Sequence, residues 1–249
     1  MKENIELKEN ERIDDLEYKG LKIIQNKDGF CFGIDSILLS DFAKKIKKGA
    51  KVLDLGTGTG IIATLLCGKT ELSEITGIEV QEEVYEMAKR SIQLNHLEDK
   101  FKMIQDNILN LNNYFEKNTF DAIVTNPPYK KKETGIQNED TRKLISRHEI
   151  EANLEGFIKI SKDMLKDKGE FYIVYRPERL VDLLSIMRKY KIEPKRIRFV
   201  YSNIYAVSKL VLVEGVKNAR PFLKLESNLY IYDENGNYTD EILKIYHKK

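Results

Sequence analysis

A strand followed by a glycine-rich loop and a helix is the feature that most limits the folds open to this chain of 249 residues. Val52-Leu53-Asp54-Leu55 is a short apolar run that predicts a buried strand. Gly56, Gly58 and Gly60 follow it, and apolar residues from Ile61 onward predict a helix. Glycines allow a tight turn and let a ligand approach the backbone closely. The segment therefore predicts the first unit of an α/β domain, with a ligand at the turn.

Further strands and helices alternate after this unit. The apolar patterns predict strands at residues 75–80, 101–105, 120–125 and 169–175, and helices at residues 81–95, 154–166 and 179–190. Two last strands, at 192–200 and 207–215, have no helical pattern between them and are expected to pair antiparallel at the sheet edge. The sequence thus predicts a doubly wound, Rossmann-like α/β fold whose sheet is mostly parallel with an antiparallel edge strand.

The segments on either side of this core divide the chain. Residues 1–19 are acidic and are expected to be a flexible N-terminus. The main domain is expected at 20–215, and it begins with an N-terminal segment, 20–48, in which 21–25 and 30–32 form a small hairpin and 34–46 a helix. Residues 216–249 form a polar C-terminal extension, expected to be an extended tail or hairpin.

Composition excludes several classes of protein. The 42 basic and 40 acidic residues nearly cancel, so net charge does not decide for or against a nucleic-acid partner. No apolar run reaches the roughly 18 residues that span a membrane, and the polar N-terminus does not look like a signal peptide. Two cysteines, Cys31 and Cys67, are too few for a disulfide framework or zinc site. These observations predict a cytoplasmic protein without a metal. A monomer or homodimer is expected, although composition does not decide between them.

The form of the glycine loop selects its ligand. The dinucleotide fingerprint G-x-G-x-x-G requires a glycine where this chain has Ile61, and the helix start lacks the lysine of a phosphate-binding P-loop. The neighbouring Asp54 would repel a pyrophosphate but suits a cation. S-adenosylmethionine meets these constraints, because its sulfonium and amino groups are positive and it has no phosphate.

Acidic residues end two further predicted strands. Glu79 lies where a carboxylate accepts hydrogen bonds from ribose hydroxyls in doubly wound folds, and Asp106 lies where it can accept from an adenine amine. A helix cap explains either residue alone, but three acids at consecutive strand ends favour a cofactor. The predicted cofactor-binding residues are Asp54, Gly56, Thr57, Gly58, Gly60, Glu79, Val80, Asp106, Asn107 and Asn126.

Asn126-Pro127-Pro128-Tyr129 follows the predicted strand 120–125, so it lies at the same sheet edge as the glycine loop. An amino group on an aromatic ring is a poor nucleophile, because its lone pair is delocalised. The Asn126 side-chain oxygen and the Pro127 carbonyl can each accept one of its N–H groups, which aims the lone pair at a methyl group. Tyr129 can stack on the base. The tetrad, with Pro128 as its second rigid residue, therefore predicts methyl transfer to a planar amino group, catalysed mainly by alignment.

With the G-x-G-x-G loop, this tetrad resembles the amino-methylating branch of the class I methyltransferases. The resemblance narrows to the bacterial tRNA(Val) adenine-37 N6-methyltransferase group and extends over about residues 20–215. The segments that carry it are Phe32-Gly33-Ile34-Asp35-Ser36-Ile37-Leu38-Leu39, the tetrad with Gly135 and Asn138 after it, and Arg147-His148-Glu149.

The resemblance implies that the substrate is an adenine beside a tRNA anticodon. It also implies that segment 20–48 closes over the cofactor, with Phe32, Gly33 and Asp35 near it. The loop from Lys130 to Arg147 is then expected to fold over the flipped base. The residues expected to contact RNA are Lys130, Lys131, Lys132, Arg142, Lys143, Arg147 and His148.

Several alternatives stay open at this point. An amide nitrogen fits the same tetrad, so the substrate can be a glutamine side chain of a translation release factor. Methylation of a guanine amine in ribosomal RNA is another possibility. A different class is an RNA-binding protein with a degenerate methyltransferase fold, although the intact acidic residues and tetrad argue against it.

Overall fold

The computed structural model describes residues 5–27, 33–128 and 154–247. Within these residues the strands are β1 Glu11–Asp15, β2 Lys22–Asn26, β3 Lys51–Leu55, β4 Glu74–Glu79, β5 Phe101–Gln105, β6 Phe120–Thr125, β7 Leu165–Tyr175, β8 Ile192–Tyr201, β9 Ser208–Lys217, β10 Lys224–Leu225 and β11 Leu229–Tyr230. The helices are α1 Ile34–Phe42, α2 Ile61–Lys69, α3 Glu82–Leu94, α4 154–164, α5 Leu180–Lys189 and α6 Asp240–Ile245, with short 3₁₀ helices at Ile108–Asn113 and Pro177–Arg179.

Strands β3–β11 form the central sheet, in the order β10-β8-β9-β7-β6-β3-β4-β5, with β11 also paired to β8. Neighbours from β7 to β5 are parallel, and β9 is antiparallel to both β7 and β8. This confirms the predicted doubly wound, mostly parallel fold with its antiparallel pair. All strands of this sheet except β9 therefore end at the same side of the sheet, which we name the carboxyl edge.

Two apolar clusters cover the faces of the sheet. Side chains alternate between the faces of a strand, so Val52 packs with α1, α2, α3 and α6 while Leu53 packs with α4 and α5. Helix α2 is buried along most of its length, which is expected of a helix that is apolar all round. Helix α3 buries only Met87, Ala88, Ser91 and Ile92, one stripe of an amphipathic helix. Both central faces are thus closed by apolar side chains.

The N-terminal hairpin differs from the predicted one. The expected second strand, 30–32, lies outside the described residues, and β2 instead pairs antiparallel with β1, from Glu11 opposite Asn26 to Asp15 opposite Lys22. Residues 11–19, expected to be part of a flexible acidic segment, contain β1 and bury Leu16 and Tyr18 in the core. The sequence did not predict β1, because Ile13 is its only apolar residue and the strand therefore shows no alternation of apolar and polar residues.

Glu11 explains how an acidic strand packs against the domain. Its carboxylate receives two hydrogen bonds of 2.6 Å from Arg90 of α3 and one of 2.9 Å from the Lys8 backbone. Helix α3 also holds β2, because Ser91 Oγ accepts from Ile24 N at 2.9 Å. The Arg90 hydrogen bonds lower the pKa of the buried Glu11, so this acid is a structural anchor.

The C-terminal segment is also more structured than expected. Tyr232 and Tyr238 form an antiparallel bridge, as a hairpin requires, but α6 follows and was not predicted. Thr239 caps α6 by accepting from Ile242 N, and Ile242 and Ile245 enter the core beside α1. Six residues are too few for a helical period to stand out in sequence, and a helix this short depends on tertiary packing.

The Glu11–Arg90 contact yields a stability prediction. Glu11→Gln is expected to lower the free energy of unfolding at pH 7 by about 1–3 kcal/mol, because charged hydrogen bonds are replaced by neutral ones. The folded-state pKa of Glu11 lies below its ordinary value of 4.5, so its contribution is present above that pH and is lost as pH falls. Urea unfolding at several pH values measures both effects. Glu86→Gln, in an exposed pair with Lys89, is the control and should change stability by less than about 0.5 kcal/mol.

Candidate active site

The carboxyl edge brings the predicted acidic and amide residues of four adjacent strands together. In β3, Leu55 is paired with Ile78 of β4 on one side and Thr125 of β6 on the other. Glu79 is in turn paired with Gln105, the last residue of β5. Because the next residues continue past the sheet side by side, Gly56, Glu79, Asp106 and Asn126 surround one site.

The glycine loop that opens this site depends on left-handed backbone. Gly56, Gly58 and Gly60 have φ of +66°, +60° and +87°, a region that other residues adopt at a cost. A Cβ on Gly60 would lie 3.0 Å from the Phe101 ring, whereas a Cβ on Gly58 would meet nothing within 4 Å. Thr57 N donates to Ile78 O at 3.0 Å and fixes the loop to β4. The loop is therefore tightly packed at its helix end and open at Gly58.

Asp54 lies buried beneath the loop, with only 1% of its surface exposed. Thr57 Oγ1 donates to its Oδ2 at 2.6 Å, while Oδ1 has no hydrogen-bond partner in the described part of the chain. Burial raises the pKa of Asp54 to about 7, against the opposing effect of the Thr57 hydroxyl. A buried acid with an orphaned oxygen favours a ligand that brings a positive charge or a donor.

Glu79 at the end of β4 serves the loop and faces the site. Its Oε2 accepts from Gly58 N at 3.1 Å, and its Oε1 accepts from Gln81 N at 3.0 Å. A carboxylate has about four acceptor positions, so these bonds orient Glu79 and leave capacity for ligand hydroxyls. Val80 follows with a side chain that is 60% exposed, which gives the same edge an apolar surface.

Asp106 takes part in a local network. Its Oδ1 accepts from Asn107 N at 2.6 Å and Asn110 Nδ2 at 2.7 Å, and its Oδ2 accepts from the Tyr114 hydroxyl at 2.9 Å. The Asn110 hydrogen bond is the main cause of its lowered pKa. Asn107 caps the following 3₁₀ helix through Leu109 N. Asp106 and Asn107 therefore have a structural role at the start of the 3₁₀ helix, as the helix-cap explanation of a strand-end acid expects. Both residues lie beside the site.

Asn126 lies directly after β6, with its amide group half-buried. Its Nδ2 is 3.5 Å from Ser36 Oγ of α1, a long hydrogen bond that orients the amide. Thr125 Oγ1 donates to Leu55 O at 2.9 Å and holds the end of β6 against β3. Pro127 is buried and Pro128 is exposed. Contacts with β3 and α1 therefore fix the point beside the glycine loop at which the chain leaves the sheet.

The start of α1 lies against the same site. Gly33 is its N-cap, and a Cβ there would lie 2.5 Å from Asp35 Oδ1, so a larger residue would move the Asp35 side chain. Ser36, the contact of Asn126, was not among the predicted site residues, and neither was Gly77. A Cβ on Gly77 would lie 2.8 Å from Thr57 Cγ2, so this glycine makes room for the loop. Neither role has a sequence signal, since each depends on a neighbour from a distant segment.

The other predicted site residues cannot be placed. Phe32, Tyr129, Lys130–Lys132, Arg142, Lys143, Arg147 and His148 lie outside the described residues. Cys67 is described, and burial raises the pKa of its thiol to about 12, which makes it unreactive. Within residues 5–27, 33–128 and 154–247 no cluster of His, Cys, Asp or Glu suits a metal ion. No helix in that part of the chain is long and apolar enough to cross a membrane.

The doubly wound sheet, with a glycine loop after its first parallel strand, has the fold of the class I S-adenosylmethionine-dependent methyltransferases. A family model described as "Methyltransferase small domain" matches residues 33–191. The chain belongs to this family.

Curated relatives match nearly the whole chain. A tRNA1(Val) (adenine(37)-N6)-methyltransferase of Mannheimia succiniciproducens is 25% identical over 92% of this chain and 90% of its own length. One of the same name from Histophilus somni is 28% identical over 90% of this chain and 92% of its own length.

Two solved structures share the fold. A predicted O-methyltransferase of Agrobacterium tumefaciens aligns with a TM-score of 0.68 at 15% identity, over 86% of this chain and 95% of that one. A Thermus thermophilus 16S rRNA N2 G1207 methyltransferase in complex with AdoMet and guanosine aligns with a TM-score of 0.58 at 17% identity. The alignment covers 85% of this chain and 52% of that one.

The loop geometry predicts different effects for two alanine substitutions. Both Gly58→Ala and Gly60→Ala should lose about 1–2 kcal/mol of stability from the left-handed backbone, and Gly60→Ala should lose more because of Phe101. Gly58→Ala adds its methyl on the open side and is expected to weaken S-adenosylhomocysteine binding at least about tenfold. Thermal unfolding and calorimetric titration separate these effects, and equal affinity of Gly58→Ala and wild type would mean that the ligand does not approach Gly58.

The raised pKa of Asp54 predicts a pH-dependent stability. Because its folded pKa, about 7, lies above its ordinary 3.8, Asp54 destabilises the ligand-free protein progressively as pH rises towards and through 7. Asp54→Asn should therefore raise the free energy of unfolding at pH 8 by about 1–3 kcal/mol, and this gain should shrink towards pH 5. It should also weaken S-adenosylmethionine binding. Urea unfolding at pH 5 to 8 tests this, with Asp99→Asn, at an exposed position, as the control for loss of one charge.

Proposed function

We propose that this protein transfers a methyl group from S-adenosylmethionine to the 6-amino group of an adenine in tRNA, beside the anticodon. The observation that carries the proposal is the position of Asn126, directly after β6 and next to the glycine loop at the end of β3. The names of the curated relatives supply the choice of tRNA adenine as the substrate.

The cofactor is proposed to lie across the ends of β3, β4 and β5. Gly56, Gly58 and Gly60 allow close approach of a ligand to the backbone, and Glu79 is oriented to accept from ribose hydroxyls. The orphaned oxygen of Asp54 favours a positive group nearby, and residues 54–60 contain no cation that would recruit a phosphate. Val80, Asp106 and Asn107 complete the surface beside the adenine end of the ligand.

Gly33 and Asp35 are proposed to bound the cofactor from the α1 side. Both lie at the first turn of α1, whose Ser36 contacts Asn126. When bound, S-adenosylmethionine supplies a methyl group activated by the positive sulfur.

The acceptor is proposed to sit at Asn126 and Pro127. The long contact of Asn126 Nδ2 with Ser36 Oγ places the amide beside the start of α1. The Asn126 Oδ1 is proposed to accept from one N–H of the adenine amine, and the Pro127 carbonyl from the other. This draws the nitrogen lone pair out of conjugation and points it at the methyl carbon. The nitrogen–carbon bond then forms as the sulfur–carbon bond breaks, and the nitrogen releases a proton to water. Alignment of this displacement is the main catalytic contribution.

The direct test is methylation of bulk tRNA by the purified protein with labelled cofactor, followed by nucleoside analysis. The expected product is N6-methyladenosine. Asn126→Ala should lower kcat on the order of 100-fold, since misalignment has effects of this size, and should leave S-adenosylhomocysteine affinity nearly unchanged. Labelled N2-methylguanosine, or label found only in protein, would contradict the choice of adenine, and unchanged turnover of Asn126→Ala would contradict the alignment role.

A further inference from the structure

The carboxyl edge continues past Asn126 in the direction away from the cofactor site. Thr125 is paired with Ile173 of β7, Tyr175 with Val211 of β9, and Tyr201, the last residue of β8, with Ser208. Arg176, Lys209 and the turn formed by residues 202–207 therefore lie on the same edge, one to three strands from Asn126. Three strand spacings amount to about 14 Å. We name Arg176, Lys209 and residues 202–207 the distal edge.

The two halves of the edge differ in chemistry. On the cofactor side, Asp54, Glu79 and Asp106 lie at the end of a strand or next to it. The distal edge carries the exposed cations Arg176 and Lys209. Its turn also exposes large apolar side chains, with Ile204 53%, Tyr205 80% and Val207 80% exposed. Exposed large apolar side chains that cluster beside cations mark an interaction surface more often than isolated ones do.

A cleft lies between this surface and the start of α1. It has a volume of about 190 Å³ and is lined by Asp35, Arg176, Tyr201 and Lys209, among others. Asp35 belongs to the first turn of α1, as does Ser36, which contacts Asn126. A ligand that occupies both the Asn126 position and the distal edge therefore passes along the start of α1. Among the described residues that line the cleft, Arg176 and Lys209 are basic and Asp35 is acidic.

The turn holds Tyr205 in a defined position. Asn203 Oδ1 accepts from Tyr205 N at 3.0 Å, and Asn203 O accepts from Ala206 N at 3.2 Å. The Tyr205 hydroxyl donates to Glu234 Oε1 at 3.3 Å, and the residue is 80% exposed. Behind the turn, the Tyr201 and Tyr230 rings pack 5.5 Å apart. The turn bonds fix the backbone that carries Tyr205, and an exposed aromatic ring at such a position can stack on a base.

We propose that the distal edge binds the nucleotides that flank the target base, as a single strand, with Tyr205 stacked on a base and Arg176 and Lys209 paired with phosphates. Aromatic faces beside cationic side chains are the combination that binds single-stranded nucleic acid. A base placed in the Asn126 position is out of its stack, so its neighbours are exposed for such contacts. The inference rests on the proposed function, since it requires an RNA substrate.

Tyr205 provides the first test, in steady-state methylation of tRNA. Tyr205→Ala is expected to raise KM for tRNA about tenfold, equivalent to about 1.4 kcal/mol, in the range that base stacking contributes. Tyr205→Phe keeps the ring but loses the contact with Glu234, and it should restore KM to near the wild-type value. The affinity for S-adenosylhomocysteine should be the same in all three proteins, which shows that the variants are folded.

The two cations provide a second, independent test. Each phosphate contact with a single strand adds about 0.7 to the slope of log affinity against log salt. Arg176→Ala with Lys209→Ala should therefore reduce the slope for tRNA binding by about 1.4. The matched control is Lys45→Ala with Lys48→Ala, which removes two exposed cations between α1 and β3, at the opposite end of the sheet. This control should keep the wild-type slope.

The outcomes separate this inference from the proposed function. If the wild type makes N6-methyladenosine in tRNA but KM is unchanged in Tyr205→Ala, or the slope is unchanged in the double variant, the distal edge does not bind RNA and the proposed function stands. If the wild type labels only protein, the proposed substrate is wrong. A raised KM of Tyr205→Ala for that protein would then make the distal edge a protein-docking surface and overturn the RNA assignment.

Discussion

Parallel pairing of β3 with β4 and β6 is the constraint on which the rest of this structure depends. It places the ends of three strands from distant parts of the sequence side by side, so that Gly56, Glu79 and Asn126 meet at one edge. Parallel strands need helical crossovers, and these cover both faces of the sheet with apolar side chains. With both faces closed, the edge is the place where polar side chains can meet a ligand without disturbing the core.

At the carboxyl edge, the proposed cofactor site contains groups that destabilise the ligand-free protein. Asp54 is buried with one oxygen unpartnered, and its pKa is raised to about 7. The three left-handed glycines above it belong to a loop fixed by Thr57 to β4. Such buried acids and special backbone conformations persist where the surrounding structure holds them in place, and they are common at functional sites. The distal edge carries two exposed cations, Arg176 and Lys209, and exposed apolar side chains, which gives one continuous edge two kinds of surface.

The apolar patterns of the sequence predicted the elements of the sheet core better than those of the two terminal segments. The predicted helices and strands between residues 51 and 215 agree with the structure mostly to within two residues, because their apolar periods are strong. The exception is β7, which starts at Leu165, four residues earlier than predicted, directly after α4. Strand β1 and helix α6 escaped prediction for different reasons. Glu11 is buried through its contact with Arg90, 79 positions away, and α6 is held by two isoleucines that pack against distant helices.

Local patterns in the sequence alone determined the class of fold, the glycine loop, the acids at the strand ends and the Asn-Pro-Pro-Tyr segment. These are encoded by neighbouring residues, since backbone freedom and apolar period are short-range properties. Only the tertiary structure decided that Asp54 is buried with an orphaned oxygen, that Asp106 is engaged by Asn110 and Tyr114, and that Ser36 lies against Asn126. The same holds for the distal edge, where Arg176, Tyr205 and Lys209 come together. Burial, pKa and contact depend on which distant segments pack together, and the sheet order that sets this is a property of the whole chain.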